Sequence, residues 1–449
     1  MLQSKTVKKY DTYKDSGIEW IGEIPAHWYV DKFSRVFKKI TDYVASGSFA
    51  DIDANVHYLD EPDYAMLVRT ADLSGTKDKR VYIDEHAYNY LSNSNLFGGE
   101  LILSNIGSVG NVYIYEPMYE KSSLAPNAIM LDGSTNNKFM YYWLLSPLTN
   151  EELKKLGGNA VQLKFNKTQL RQFKALCPPK QEQQQIAEYL DKKCGEIDRV
   201  VETEKSVIEK LKEYKQSIIT EAVTKGLDKS ISLKYSGIEY LGNIPNNWNI
   251  KRLRYLATCQ NGISKGGEFF GEGAPFVSYG DVYNNNVLPE TVSGLCMVTD
   301  AEKENYSVRE NDIFFTRTSE TIEEIAITCV CKKTIPDATF AGFLIRVRPY
   351  TDELLVDFSK YYFASEIHRK FFVKEMNLVI RASLSQELLK KLPVLIPPKE
   401  EQRQIAEYLD KKCSEIDKAI ADKEQVIEKF TEYKKSLIYE CVTGKRKVV

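Results

Sequence analysis

The segment PPKQEQQQIAEYLDKKCGEID, Pro178–Asp198, returns nearly unchanged as PPKEEQRQIAEYLDKKCSEID, Pro397–Asp417, some 219 residues further on. A second pair keeps the same period: SGIEWIGEIPAHW, Ser16–Trp28, and SGIEYLGNIPNNW, Ser236–Trp248. Chance does not repeat text of this length at one spacing, so the chain must fold as two copies of one unit. The order is marker, variable block, helix, and then the same again. Residues 1–28 and 227–248 hold the markers, 29–177 and 249–396 the variable blocks, and 178–226 and 397–449 the helical segments.

Each helical segment opens on Pro-Pro and then runs without proline from Gln181 to Thr224 and from Glu400 to Thr443. In the first, Leu190, Ile197, Leu211 and Ile218 recur on a seven-residue period, with Cys194, Val201, Ile208 and Ala222 as the companion row. The second answers with Leu409, Ile416, Phe430 and Leu437 beside Cys413, Ile420, Ile427 and Cys441. Two apolar rows at heptad spacing, with Glu and Lys between them, are coiled-coil seams. A helix of about 45 residues would be roughly 67 Å long and needs a partner. Two independent core helices, or pairing between chains into a dimer, would also satisfy these seams. An antiparallel pair within the chain is expected, because the intervening block has to return the polypeptide. That arrangement puts the variable blocks at opposite ends of a rod about an approximate two-fold axis. Duplex DNA has the same local symmetry, with half-sites one turn, ~34 Å, or more apart.

The variable blocks share little sequence, but their elements come in one order. YAMLVRT (Tyr64–Thr70), GELILSNIGSVGNVYIY (Gly99–Tyr115) and NAIMLD (Asn127–Asp132) read as strands, followed by a helix over Asn136–Leu148. In the second block the strands are APFVSYGDV (Ala274–Val282), Asn311–Cys331 and Phe340–Pro349, with a helix in VDFSKYYFASEIHRKFF. The expected fold class is therefore α+β: two globular modules joined by two long helices. Aligned by order, the strand ends carry Arg69, Thr70, Ser104, Asn105 and Ser108 in one block and Ser278, Tyr279, Arg317, Thr318 and Ser319 in the other. A third matched stretch, NAVQLKFNK (Asn159–Lys167) against NLVIRASLS (Asn377–Ser385), adds Gln162, Lys164 and Arg381. Such side chains suit hydrogen bonds to base edges and phosphates, although turn formers at solvated strand ends look the same. Gly107 and Gly110 fit a tight turn; no GK[ST] follows to make a phosphate-binding loop.

With 61 Lys and Arg against 63 Asp and Glu, net charge −2, the chain lacks the basic excess of a general polyanion binder. A local patch reading a short DNA stretch remains compatible, especially beside basic partners. The eight cysteines, Cys177, Cys194, Cys259, Cys296, Cys329, Cys331, Cys413 and Cys441, form no CxxC pair, as expected of a reduced protein of the cytoplasm. No apolar run long enough for a membrane span or a signal core is present. His27, His57, His86 and His368 stand apart from metal-ligand spacing. Glu213–Lys215 and Glu432–Lys434 place Glu-Tyr-Lys on helices rather than on nuclease-like strands, and CPPKQ and IPPKE lack the flanks of a base-holding methyltransferase turn. No catalytic constellation or metal site is expected.

These motifs resemble the DNA-specificity (S) subunit of type I restriction–modification enzymes along nearly the whole chain. The most specific element is Pro-Pro-x-x-Glu-Gln-x-x-Ile-Ala: Pro178, Pro179, Glu182, Gln183, Ile186 and Ala187, then Pro397, Pro398, Glu401, Gln402, Ile405 and Ala406. GELILSNIGSVG is similar to the family's Gly-Asp-Ile-Leu strand with Glu100 for Asp. The second block keeps Asp312 but has Asn311 for Gly and no downstream Gly-x-x-Gly. The resemblance implies target recognition domains that each read half of a split, asymmetric site on double-stranded DNA, with the paired helices as a spacer. It implies two modification subunits, docked on the helices, that methylate adenine, and restriction subunits that translocate and cleave. S-adenosylmethionine, ATP and Mg then belong to those partners, and this chain binds no cofactor. The competing expectations are a self-contained methyltransferase or nuclease, and a coiled-coil adaptor that binds only proteins.

Overall fold

A computed structural model describes residues 8–75, 79–106, 109–158, 164–319, 325–375 and 382–448. The chain divides into two compact units, Met1–Glu204 with Gln425–Val449, and Lys205–Glu424. These units cut across the linear segments, because each takes half of both long helices.

The long helices span Lys180–Lys225 and Lys399–Val442. Each begins just after Pro-Pro, where the missing N–H costs nothing, and the next turn is tied back by Gln183 Nε2 to the Pro178 carbonyl at 2.8 Å and Gln402 Nε2 to Pro397 at 2.9 Å. Each is followed by a glycine in the left-handed region, Gly226 at φ +71° and Gly444 at +74°. In the first unit Leu190, Cys194, Ile197 and Val201 share a core with Phe430, Leu437 and Cys441. In the second, Leu211, Ile218 and Ala222 share one with Leu409, Cys413, Ile416 and Ile420. The start of one helix thus meets the end of the other in both units, which makes the pairing antiparallel and intramolecular. Lys434 to Asp198 and Lys215 to Asp417, both 2.7 Å, are the same ion pair with the copies exchanged. Being exposed, each is worth at most about 1 kcal/mol; they mark register more than they add stability. Ile208 is buried and Ile427 half-buried on the same seams.

Each marker recognises the opening turn of the long helix that follows its own block: Trp28 Nε1 donates to Glu182 at 3.1 Å and Trp248 Nε1 to Glu401 at 2.9 Å. Both rings are fully buried, as are Ile186, Ala187, Ile405 and Ala406 beneath them. The first marker also closes on the far end of the second helix: Tyr13 Oη donates to the Gly444 carbonyl at 3.1 Å and Lys447 N to Lys8 O at 2.8 Å.

Each variable block enters and leaves through a two-stranded clasp. Tyr29–Lys32 pairs antiparallel with Lys174–Cys177, Tyr29 opposite Cys177, and Asn249–Arg252 pairs with Pro393–Ile396, Asn249 opposite Ile396. The blocks are also anchored alike to the helices: Tyr142 Oη to Asp191 at 2.9 Å, and Tyr361 Oη to Asp410 at 2.6 Å.

Inside, the unlike sequences build one topology. An antiparallel sheet has the order Lys39–Asp42, Ala128–Asp132, Leu101–Ser104, Val112–Ile114 in the first unit. Its counterpart is Ala257–Asn261, Leu344–Pro349, Ile313–Thr316, Thr328–Val330. A second sheet holds a parallel pair in both cases, Ala65–Val68 with Ser122–Leu124, and Phe270–Val277 with Thr339–Phe340. The helix expected over Asn136–Leu148 is two, Asn137–Leu145 and Pro147–Lys155, because Pro147 cannot donate into a continuous ladder. The helical run after Val356 likewise breaks between Ala364 and Ile367.

The acidic residue of the Gly-Asp-Ile-Leu strand has a structural task. Buried Glu100 accepts from the backbone N–H of Phe97 and Gly98 at 2.7 and 2.8 Å, and buried Asp312 accepts from Arg309 N at 2.7 Å. Departures from the motif leave the geometry in place. Asn311 takes the left-handed conformation of Gly99, φ +70° against +91°, and Ala326 that of Gly110, +58° against +89°. Gly110 N donates to Ser104 O, and Ala326 N to Thr316 O, at 3.2 and 3.0 Å. Gly110 therefore serves the expected turn, while Gly107 lies outside the described residues.

Candidate nucleic-acid interface

The three matched stretches of each block meet at one rim, where the two sheets exchange strands. In the first unit the parallel strands end side by side, Ala125 N donating to Val68 O at 2.9 Å. The chain then crosses Ala125–Asn127 into the antiparallel sheet, where Asn105 N donates to Asn127 O at 3.3 Å. The third stretch joins from the other side: Phe165 N donates to Asn105 O at 3.3 Å, and Ile106 bridges Lys164. The second unit repeats this. Ala341 N donates to Val277 O at 3.0 Å, Arg317 N to Phe343 O at 2.9 Å, and Leu384 N to Arg317 O at 2.8 Å. Thr318 and Ser319 pair there with Ser383 and Ala382.

Side chains at the rim divide into those that hold the fold and those that face out. Ser104 and Asn105 were expected to reach bases. They are buried instead, with Ser104 Oγ donating to Ile106 O at 3.3 Å and Asn105 Nδ2 to Phe165 O at 3.1 Å. Both are used to tie the third stretch to the strand end, and neither is displayed. Arg69 grips Asp72 through Nε and Nη2 at 2.9 and 2.6 Å. That carboxylate holds the guanidinium pKa above its ordinary value and leaves the arginine half-buried beside Thr70. Ser278 occupies the matching place and caps the helix Tyr279–Tyr283, its Oγ bonded to Asp281 at 2.7 Å and accepting from Asp281 N at 3.2 Å. Tyr279 stacks on Tyr283, centroids 5.7 Å apart. Arg317 is half-buried, with Nη1 3.4 Å from the Gly342 carbonyl, and Thr318 is half-buried on its short strand. Lys164 is exposed. Ser108, Gln162 and Arg381 lie outside the described residues, as does the side chain of Ser319.

Two outward residues escaped the sequence reading because they sit on the crossing links rather than at the strand ends. Asn127 is exposed and held at φ +72°, and Phe343 keeps 63% of its surface in solvent. A signal for the second existed: Gly342 interrupts a strand pattern, which marks a close backbone approach. A Cβ there would stand 3.0 Å from the Ile263 carbonyl and closer still to Ser264 Oγ.

Among the described residues, no cluster of three or more His, Cys, Asp or Glu could hold a metal, and no helix is long and apolar enough to cross a membrane. All eight cysteines are unpaired, and burial pushes the thiol pKa of Cys194, for example, up to about 11.

Comparison with known proteins places this architecture. The family model described as the type I restriction modification DNA specificity domain matches residues 47–213 and again 245–429. The putative type I restriction enzyme MjaX specificity subunit of Methanocaldococcus jannaschii is 27% identical, over 95% of this chain and 96% of that one. The type I restriction enzyme EcoKI specificity subunit of Escherichia coli K12 is 21% identical, over 87% and 82%. Among solved structures, a chain from a study of complex assembly and conformational transition of the type I R-M system superposes with TM-score 0.70 at 13% identity, covering 94% of this chain and 99% of that one. The HsdS subunit of Thermoanaerobacter tengcongensis gives TM-score 0.51 at 15% identity, over 94% and 98%.

Proposed function

The chain belongs to the type I restriction modification DNA specificity family, and from that premise we propose how its parts divide the work of a specificity subunit. It recognises DNA and leaves catalysis to the subunits it assembles with. Each rim reads one half of a bipartite, asymmetric site, and the antiparallel helices set the unread spacing. Two modification subunits dock on the helical scaffold. They bring S-adenosylmethionine, and restriction subunits bring ATP and Mg, so the near-neutral charge of this chain is no handicap: its partners share the grip on phosphate.

The observation that carries this reading is the clasp. Entry and exit of each block are pinned opposite each other, Tyr29 to Cys177 and Asn249 to Ile396. Whatever lies between can diverge without disturbing the scaffold, and the two blocks have done so at their rims while keeping one topology. The test is an exchange of residues 249–396 for the corresponding block of another family member, followed by methylome sequencing with the modification subunits present. One half of the methylated motif should change and the other should stay. A change in both halves refutes independent readers. No sequence-dependent methylation by the parent chain favours a protein-only adaptor instead.

A further inference from the structure

The crossing links carry unlike, outward-facing side chains at matched positions of the two units. In the second unit the backbone around Phe343 is tied at three points: Ala341 N to Val277 O, Gly342 N to Ile263 O at 2.7 Å, and Arg317 N to Phe343 O. Gly262 and Gly342 let the neighbouring strand press against this link. A Cβ on Gly262 would fall 2.2 Å from the Ala341 carbonyl. The link is rigid, yet it holds a large apolar ring with most of its surface in water. At the same topological place the first unit displays Asn127, fixed between Ala125 and the Asn105 N–H. A rigid mount that places different outward side chains at matched positions is what differential readout requires.

We propose that position 127 in the first unit and position 343 in the second are specificity determinants. Asn127 takes a hydrogen-bonding base edge, adenine being the base whose donor–acceptor pair an amide matches. Phe343 takes an apolar feature of the major groove, the 5-methyl group of thymine, beside Arg317. This rests on the half-site reading above, and the experiment separates the two.

The full chain is expressed with its modification subunits and the methylome is read for parent, F343A, F343L and N127A. Y350A and F97A are controls: both rings are more than half exposed but lie beyond the opposite ends of their strands from the rim. F343A should relax one half-site at one or two neighbouring positions that carry thymine in the parent motif, lowering discrimination there about tenfold. N127A should relax the other half at an adenine, and both controls should keep the parent motif. On purified duplexes, uracil in place of the read thymine should slow methylation by the parent complex about tenfold and leave F343A indifferent. Parent motif and parent uracil response in F343A overturn the proposal, as does relaxation of both halves. If F343A abolishes methylation, F343L decides: the parent motif supports an apolar contact, and loss there too refutes it. A parent chain without any bipartite motif would instead sink the half-site reading itself.

Discussion

Asp312 offers the sharpest test of what holds the antiparallel sheet of the second unit together. Its carboxylate has no exposed surface and accepts from Arg348 Nε and Nη2, both at 2.6 Å, and from Arg309 N at 2.7 Å. Arg346 lies alongside, 5% exposed, with its guanidinium pKa pushed down to about 10 by burial and by the charge of Arg348. D312A would leave two arginines facing the Ser307 carbonyl with no carboxylate between them. Removing one partner of a buried pair costs about 3–5 kcal/mol. In a unit of this size each kcal/mol lowers the melting temperature by about 2–4 °C, so the lower bound alone predicts a loss of roughly 6–12 °C. The assay is thermal unfolding followed by the fluorescence of Trp248, which belongs to the second unit, with hydrogen exchange of the strand Ile313–Thr316 as the local readout. Replacing the charges together, as D312L with R348M, should recover much of the loss, because the penalty is for an unpaired charge and not for a missing contact. A D312A transition within about 2 °C of parent, with unchanged exchange, would refute the reasoning.

His368 is buried, its Nε2 bonded to the Tyr362 carbonyl at 2.8 Å, and burial pushes its pKa down to about 4. Between pH 6.5 and 4 the unfolded chain binds the proton that the folded ring refuses. This contribution is therefore complete above pH 6.5 and is lost at up to about 1.4 kcal/mol per pH unit as pH falls. Urea titrations of parent and H368Q across that window should show a steeper fall of stability with falling pH in the parent than in the variant. Ala326 holds a left-handed φ of +58° that costs a residue with a Cβ about 1–2 kcal/mol, so A326G should raise the stability of the second unit by about 1 kcal/mol in the same assay.

The frame of the molecule was legible because its constraints are local and repeated. A heptad row cannot be hidden: Leu190, Cys194 and Ile197 share a core with Leu437 and Cys441, and Ile218 and Ala222 share one with Leu409, Cys413 and Ile416. The central strands of both blocks stood out as apolar runs and their matched order pointed to the common topology, whereas Lys39–Asp42, Ser122–Leu124 and Ala257–Asn261 carry too few apolar residues to stand out. What lay beyond the sequence was which way a strand-end side chain faces. Ser104 and Asn105 sit at a junction where a second sheet and a third stretch cover both sides, so small polar side chains were claimed by neighbouring backbone. Ser278 and Arg69 were taken by the aspartates three residues on, Asp281 and Asp72. Asn127 and Phe343 were overlooked because links between sheets have no periodicity. The clasp was also invisible as a pairing, although its strands fall at the borders where the repeat stops and divergence begins.

The first marker's grip on Gly444 and Lys447 has a bearing on how the protein is made. The second unit is one uninterrupted stretch of polypeptide and has all its parts once Glu424 is out of the ribosome. The first unit, though translated earlier, waits with the Trp28 end of its marker and the seam of its helix uncovered until residues 425–448 arrive. Synthesis and completion thus run in opposite order. A ribosome that stalls or stops early in the final helix would spare the later-made module and leave the earlier one as the chaperone's client.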